Sequence, residues 1–128
     1  MHPVHFVAAL ATLQFLAFSL LTGMAREKSG LKAPAMTGDE HFERAHRVQM
    51  NTLEQLVCFL PSLLIAGHYW SPTLVALVGA VFLVGRLVYR RAYLVDPSTR
   101  TLGFLLGFVP TVLLLVAALA GALFRSPA

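Results

Sequence analysis

Phe42-Glu43-Arg44-Ala45-His46-Arg47-Val48-Gln49-Met50-Asn51-Thr52-Leu53-Glu54 decides the fold, because this polar string runs without a break into an apolar segment reaching Trp70. Arg47, Asn51 and Glu54 are spaced i, i+4 and i+7, so on a helix they share one face. A carboxylate set into a membrane helix costs at least ~2.5 kcal/mol on insertion scales, which makes it a functional residue by default. The string is therefore expected to be buried and to hold something polar. Its reach from Arg47 to Glu54 is ~10 Å at the α-helical rise.

The membrane reading comes from the rest of the chain. Of 128 residues, 57% are hydrophobic and 12% charged, and the mean hydropathy is +0.71. That composition belongs to membrane proteins, and the length to one domain, residues 1–128. Four spans follow: about Pro3 to Ala25, His46 to Trp70, Thr73 to Tyr93, and a last one from about Thr99 with no charge between Thr101 and Phe124. The first is a span rather than a signal peptide, since no Lys or Arg precedes it, its apolar run is too long, and no A-x-A site follows. Ser71-Pro72 makes a tight break, and Asp96-Pro97-Ser98 predicts an N-cap with Pro at the first position of the fourth helix. Gly103, Gly107 and Pro110 are tolerable inside a membrane helix packed on neighbours. The expected fold is an all-α, integral membrane four-helix bundle, with residues 26–41 as its one substantial loop.

The net charge of +4 does not point to nucleic acid, because the basic residues sit beside apolar spans. Nine of the ten flank the first and third loops, and only Arg125 lies on the other side. The positive-inside rule then puts both loops in the cytoplasm. Arg90 and Arg91 read as topogenic or lipid-headgroup contacts. The lone Cys58 excludes an internal disulfide and is expected in the packed core, with nothing cationic nearby to activate it. His2, His5, His41, His46 and His68 lack metal-ligand spacing, and no metal is expected.

Antiparallel helices bring the start of the second span and the end of the third to one membrane side. Arg86, Tyr89 and Tyr93, at i, i+3 and i+7, form a second one-faced set there, with Arg100 opening the fourth helix and Arg26 closing the first. Two readings stay open for these groups. Arg47 and Glu54 either line a pocket for a small, multiply charged molecule or pair with other helices to hold the bundle. Tyr89 and Tyr93 either donate hydrogen bonds or belong to the interfacial aromatic belt.

Phe42-Glu43-Arg44 through Arg47-x-Gln49-x-Asn51-x-x-Glu54, together with Gly85-Arg86-x-x-Tyr89-x-x-x-Tyr93 and Arg100, resembles the MAPEG family of small membrane proteins in eicosanoid and glutathione metabolism. The likeness spans the chain and is nearest the leukotriene synthase and microsomal glutathione transferase branch. It implies a homotrimer with glutathione as co-substrate, bound between protomers, and a hydrophobic electrophile or lipid hydroperoxide as second substrate drawn from the membrane lipid. It implies that Arg47, Asn51, Glu54, Arg86, Tyr89 and Tyr93 bind glutathione, with Gln49 contributed by the neighbouring protomer. Arg100 and the neighbour's Arg26 are the catalytic residues in this reading. Gln55 departs from the pattern, standing where glutathione-conjugating relatives carry an aromatic residue. Two rivals remain: a non-catalytic lipid-binding scaffold of the same family, and a proton-coupled transporter built on a lone carboxylate. The crowd of Arg, Asn and Tyr at one leaflet suits the transporter poorly. The minimal chain favours a bacterial inner membrane.

Overall fold

The computed structural model describes residues 1–127. Four long helices make up the chain: α1 (Pro3–Ser29), α2 (Glu40–Tyr69), α3 (Pro72–Val95) and α4 (Thr101–Phe124). Each is long and apolar enough to cross a bilayer whose hydrocarbon core is ~30 Å thick, so the chain is a multi-pass integral membrane protein.

Local chemistry sets the helix ends. Gly30 takes the left-handed conformation (φ +77°) that lets α1 stop, and its N–H returns to the Glu27 carbonyl. The Asp39 carboxylate caps α2 by accepting the Phe42 N–H at 2.9 Å, and Glu40 and Glu43 place negative charge on the first turn. α1 therefore runs to Ser29 and α2 begins at Glu40, both beyond the apolar spans, because capping rather than hydropathy ends them. Ser71 and Pro72 start α3 as the sequence predicts. Asp96 does not cap the fourth helix. Its own N–H closes α3 on the Ala92 carbonyl, and its carboxylate accepts the Ser98 N–H and hydroxyl across a short 3₁₀ turn, Pro97–Thr99. α4 starts only after Arg100, which occupies the N-cap position without a capping side-chain bond.

α2 and α3 pack on each other and on both remaining helices, so that α1 and α4 lie on opposite sides of the α2–α3 pair. α3 and α4 approach closely where each sets a glycine against the other's backbone. A Cβ on Gly85 would lie 2.7 Å from the Leu106 backbone, and one on Gly103 would overlap the backbone of Tyr89. This contact fixes Tyr89 against the first turn of α4. At the other end lies the main core, where Phe59 and Phe82 stack with centroids 3.8 Å apart among Val7, Leu63, Val75 and Leu114. Cys58 is not in that core. It lies next to buried Phe59 but on the outward face of α2, exposed on the protomer surface, because the i, i+3, i+7 stripe facing inward is Leu56, Phe59 and Leu63.

At the loop end the helices are tied by polar bonds. Arg44 pairs with Glu40 and donates to the Leu94 and Val95 carbonyls at 3.0 Å, joining the start of α2 to the end of α3. Midway along the bundle, Gln14 of α1 donates to the Leu83 carbonyl of α3 at 2.9 Å.

Candidate functional site

A cavity of about 480 Å³ opens at the loop end of the bundle between α2, α3 and α4. α2 supplies Arg47 and Asn51 one turn apart, α3 supplies Tyr89 and Tyr93 one turn apart, and α4 supplies Arg100, Thr101 and Phe104. The volume lies within the range of small-molecule sites. Five residues predicted from spacing are thus brought together in one protomer.

Arg47 and Arg100 are both exposed at the cavity, and no carboxylate lines it. Arg100 donates to the Pro97 carbonyl at 2.8 Å, which holds its guanidinium beside the N-terminus of α4. A guanidinium and the positive end of a helix dipole then act on the same space. Tyr89 is buried and Tyr93 half-buried, with ring centroids 5.6 Å apart. Among the described residues neither hydroxyl has a hydrogen-bond partner, so both are free to donate.

Arg86 does not line the cavity. It is fully buried behind it, donating to Asn51 Oδ1 at 2.8 Å and Thr52 Oγ1 at 2.9 Å, with its guanidinium 4.2 Å from the Tyr89 ring centre. Its Nε and Nη1 have no partner among the described residues. By taking the Asn51 carbonyl, Arg86 leaves the Asn51 amide N–H groups free for the cavity. Arg86 is therefore a wall behind the site, one layer deeper than i, i+3, i+7 spacing alone conveys.

The opening string is not buried as expected. Arg47 and Glu54 are exposed on the protomer surface, and only Asn51 is half-buried. Glu54 lies one turn below Asn51, outside the cavity lining, and among the described residues neither it nor Arg47 has an ion-pair partner. The bundle-pairing reading of these two charges thus fails within one protomer. Gln49 faces away, its amide donating to Ser19 Oγ of α1 at 2.9 Å. Arg26 is also apart: it donates to the Ala35 carbonyl at 2.7 Å and lies 4.4 Å over the Phe42 ring, folding the first loop onto α2. Gln55, half-buried, lies outside the cavity lining. Thr101, Phe104 and Thr52 were not singled out from the sequence. Phe104 had a signal, lying four residues after Arg100 on the same face of α4, whereas Thr52 had none, because its hydroxyl also returns to its own helix at Val48.

The sequence has counterparts among known proteins. The MAPEG family profile matches residues 4–120. The chain belongs to the MAPEG family. Its relatives include an uncharacterized Synechocystis protein, 44% identical over 93% of this chain and 87% of that one. Human microsomal glutathione S-transferase 2 is 35% identical over 77% of this chain and 67% of its own length. Guinea pig (Cavia porcellus) leukotriene C4 synthase is 39% identical over 68% and 62%, respectively.

Proposed function

We propose that this MAPEG protein is a membrane-bound glutathione transferase, working as a homotrimer and attacking hydrophobic electrophiles with glutathione thiolate. The observation that carries the reading is the convergence of Arg47, Asn51, Tyr89, Tyr93 and Arg100 on one cavity. The names of the microsomal transferase and leukotriene synthase relatives support the same substrate.

Glutathione carries two carboxylates, an ammonium, two peptide amides and a thiol, and the cavity offers a match for most of them. Arg47 forks onto a carboxylate through charge-assisted hydrogen bonds. The free Asn51 N–H groups and the tyrosine hydroxyls meet carbonyl oxygens. Arg100, with the α4 dipole behind it, favours the thiolate over the thiol. The thiolate then forms a bond to an electrophilic carbon from the lipid phase as the leaving group departs with its electron pair. With a lipid hydroperoxide, two glutathione molecules give the alcohol, water and the disulfide.

A homotrimer accounts for what one protomer leaves open. Arg47 and Glu54 stand exposed on a membrane-spanning helix, where an uncovered charge costs several kcal/mol. A neighbouring protomer against this face covers them and delivers Arg26 and Gln49, and Glu54 then meets the ammonium. Arg86 keeps its predicted part in glutathione binding only through Asn51. The excess of basic residues at the first and third loops supports a cytoplasmic placement for both, and we place the protein in a bacterial inner membrane.

Steady-state kinetics with an aryl halide test the reading. Arg100→Ala is expected to lower kcat by about 10²-fold, the size of effect typical of removing one preorganised donor, with little change in KM for glutathione. Absence of thiolate absorbance at neutral pH in the unmutated protein saturated with glutathione would overturn the catalytic assignment. Fatty-acid binding with no heat of glutathione binding would assign the scaffold role instead.

A further inference from the structure

A second recess lies on the side of the bundle opposite the cavity, between the parallel helices α1 and α3. It is a chain of hollows. One of about 340 Å³ is lined by Leu10, Leu13 and Leu83, and it continues past Gln14, Ala17 and Leu87 into another of about 530 Å³. The loop-side part of the second hollow is lined by Arg90 and Arg91 with Leu94 and Val95, and Leu21 and Arg90 carry it on into a third that includes Lys28 and His41. The α1 residues recur every three or four positions, so the groove follows one helix face. From Leu10 to Leu21 it extends ~16 Å, close to half of a ~30 Å hydrocarbon core. Its length is that of one leaflet.

The charges at its mouth are arranged for an anion. Arg90 is not splayed into water: it is half-buried, lies 5.6 Å over the buried Phe18 ring, and walls two of the hollows. Among the described residues the one ion pair is Arg44 with Glu40, so Arg90 and Arg91 have no carboxylate partner. Glu27 is the single acid lining the third hollow, against Lys28 and Arg90. A purely topogenic arginine needs no apolar groove beneath it. Basic pockets between membrane helices select anionic headgroups.

We propose that the α1–α3 groove is a binding site for one anionic phospholipid of the loop-side leaflet. Its phosphodiester lies at Arg90 and Arg91, with Lys28 flanking, and one acyl chain runs down the groove past Ala17 to Leu10 and Leu83. The site shares no residue with the α2–α3–α4 cavity and does not depend on the glutathione assignment.

Native mass spectrometry of delipidated protein tests this with phosphatidylglycerol and phosphatidylcholine of identical acyl chains. Phosphatidylglycerol is expected to be retained at one per protomer with about tenfold higher affinity. Arg90→Gln with Arg91→Gln abolishes that preference. Ala17→Phe, which plugs the groove and leaves both arginines, loses the lipid. A second readout works in the otherwise unmutated chain: a Leu87→Trp indole is quenched more by bromine-labelled phosphatidylglycerol than by bromine-labelled phosphatidylcholine. Equal retention of both lipids, or full retention by Ala17→Phe, overturns the proposal. So does preferential uptake of oleate, which would make the occupant a free fatty acid.

Discussion

The two ends of this bundle are built from the same four helices and solve opposite problems. Away from the loops, Phe59 and Phe82 stack among aliphatic side chains, and the core there closes inside one protomer. At the loop end the protomer is incomplete: Arg47, Glu54 and Arg100 face outward, and Arg86 keeps two nitrogens, Nε and Nη1, unpartnered among the described residues. One end holds the fold. The other holds charge in reserve for something that a single protomer lacks.

The sharpest way to separate the ends is to damage the closed one. Phe59→Ala removes a fully buried ring and leaves a cavity, so a loss of about 3–5 kcal/mol is expected. Thermal unfolding in detergent should register it as a large drop in Tm. Glutathione affinity, measured by calorimetry well below the new Tm, should stay within about twofold, because no cavity residue touches Phe59. A comparable loss of affinity would break the division.

Arg86 sits on the boundary and discriminates further. Arg86→Ala leaves Asn51 and Thr52 without their donor and opens a void, for an expected loss of about 3 kcal/mol. Arg86→Met refills the volume with an apolar chain and should recover most of that stability. Both variants free the Asn51 side chain, so both should weaken glutathione binding by about tenfold. Stability and binding separating in Arg86→Met would confirm that the residue orients Asn51. Glu54→Gln, by contrast, should leave Tm nearly unchanged and weaken glutathione binding by about five- to tenfold, on the reading that the carboxylate meets the ammonium. Unchanged binding in Glu54→Gln would remove that residue from the site.

The difference between the ends also explains what could be read from the amino-acid order. Four apolar runs and the Ser71-Pro72 break give the helices, because burial in lipid demands long, charge-poor segments. Arg47, Asn51, Tyr89, Tyr93 and Arg100 were legible as a site because helical spacing maps directly onto a face. What spacing does not encode is depth and partner. Arg86 shares a stripe with Tyr89 but turns inward, since Gly107 on α4 leaves room for its side chain there. Cys58 was misplaced for the reverse reason: in a membrane protein an apolar neighbourhood marks an outward helix face as often as the core. The helix ends shifted because Asp39 and Gly30 cap beyond the apolar runs, and Asp96 terminates one helix instead of starting the next.

Asp96 offers the smallest and most selective probe of the open end. The Ser98 backbone N–H and hydroxyl hold its carboxyl below the usual carboxylate value, and the Arg44 charge adds to this. A carboxyl whose folded pKa is depressed contributes stability above its unfolded pKa, about 3.9, and loses it as pH falls through the folded value. Asp96→Asn should therefore lower Tm slightly at pH 7, and the gap should close on acidification below about pH 4. Because the turn it braces delivers Arg100 to the cavity, the same variant should lower kcat modestly at neutral pH while leaving the Phe59 end untouched. A Tm gap that widened in acid would mean that Asp96 is held by something other than the Ser98 hydrogen bonds, and the turn would lose its part in placing Arg100.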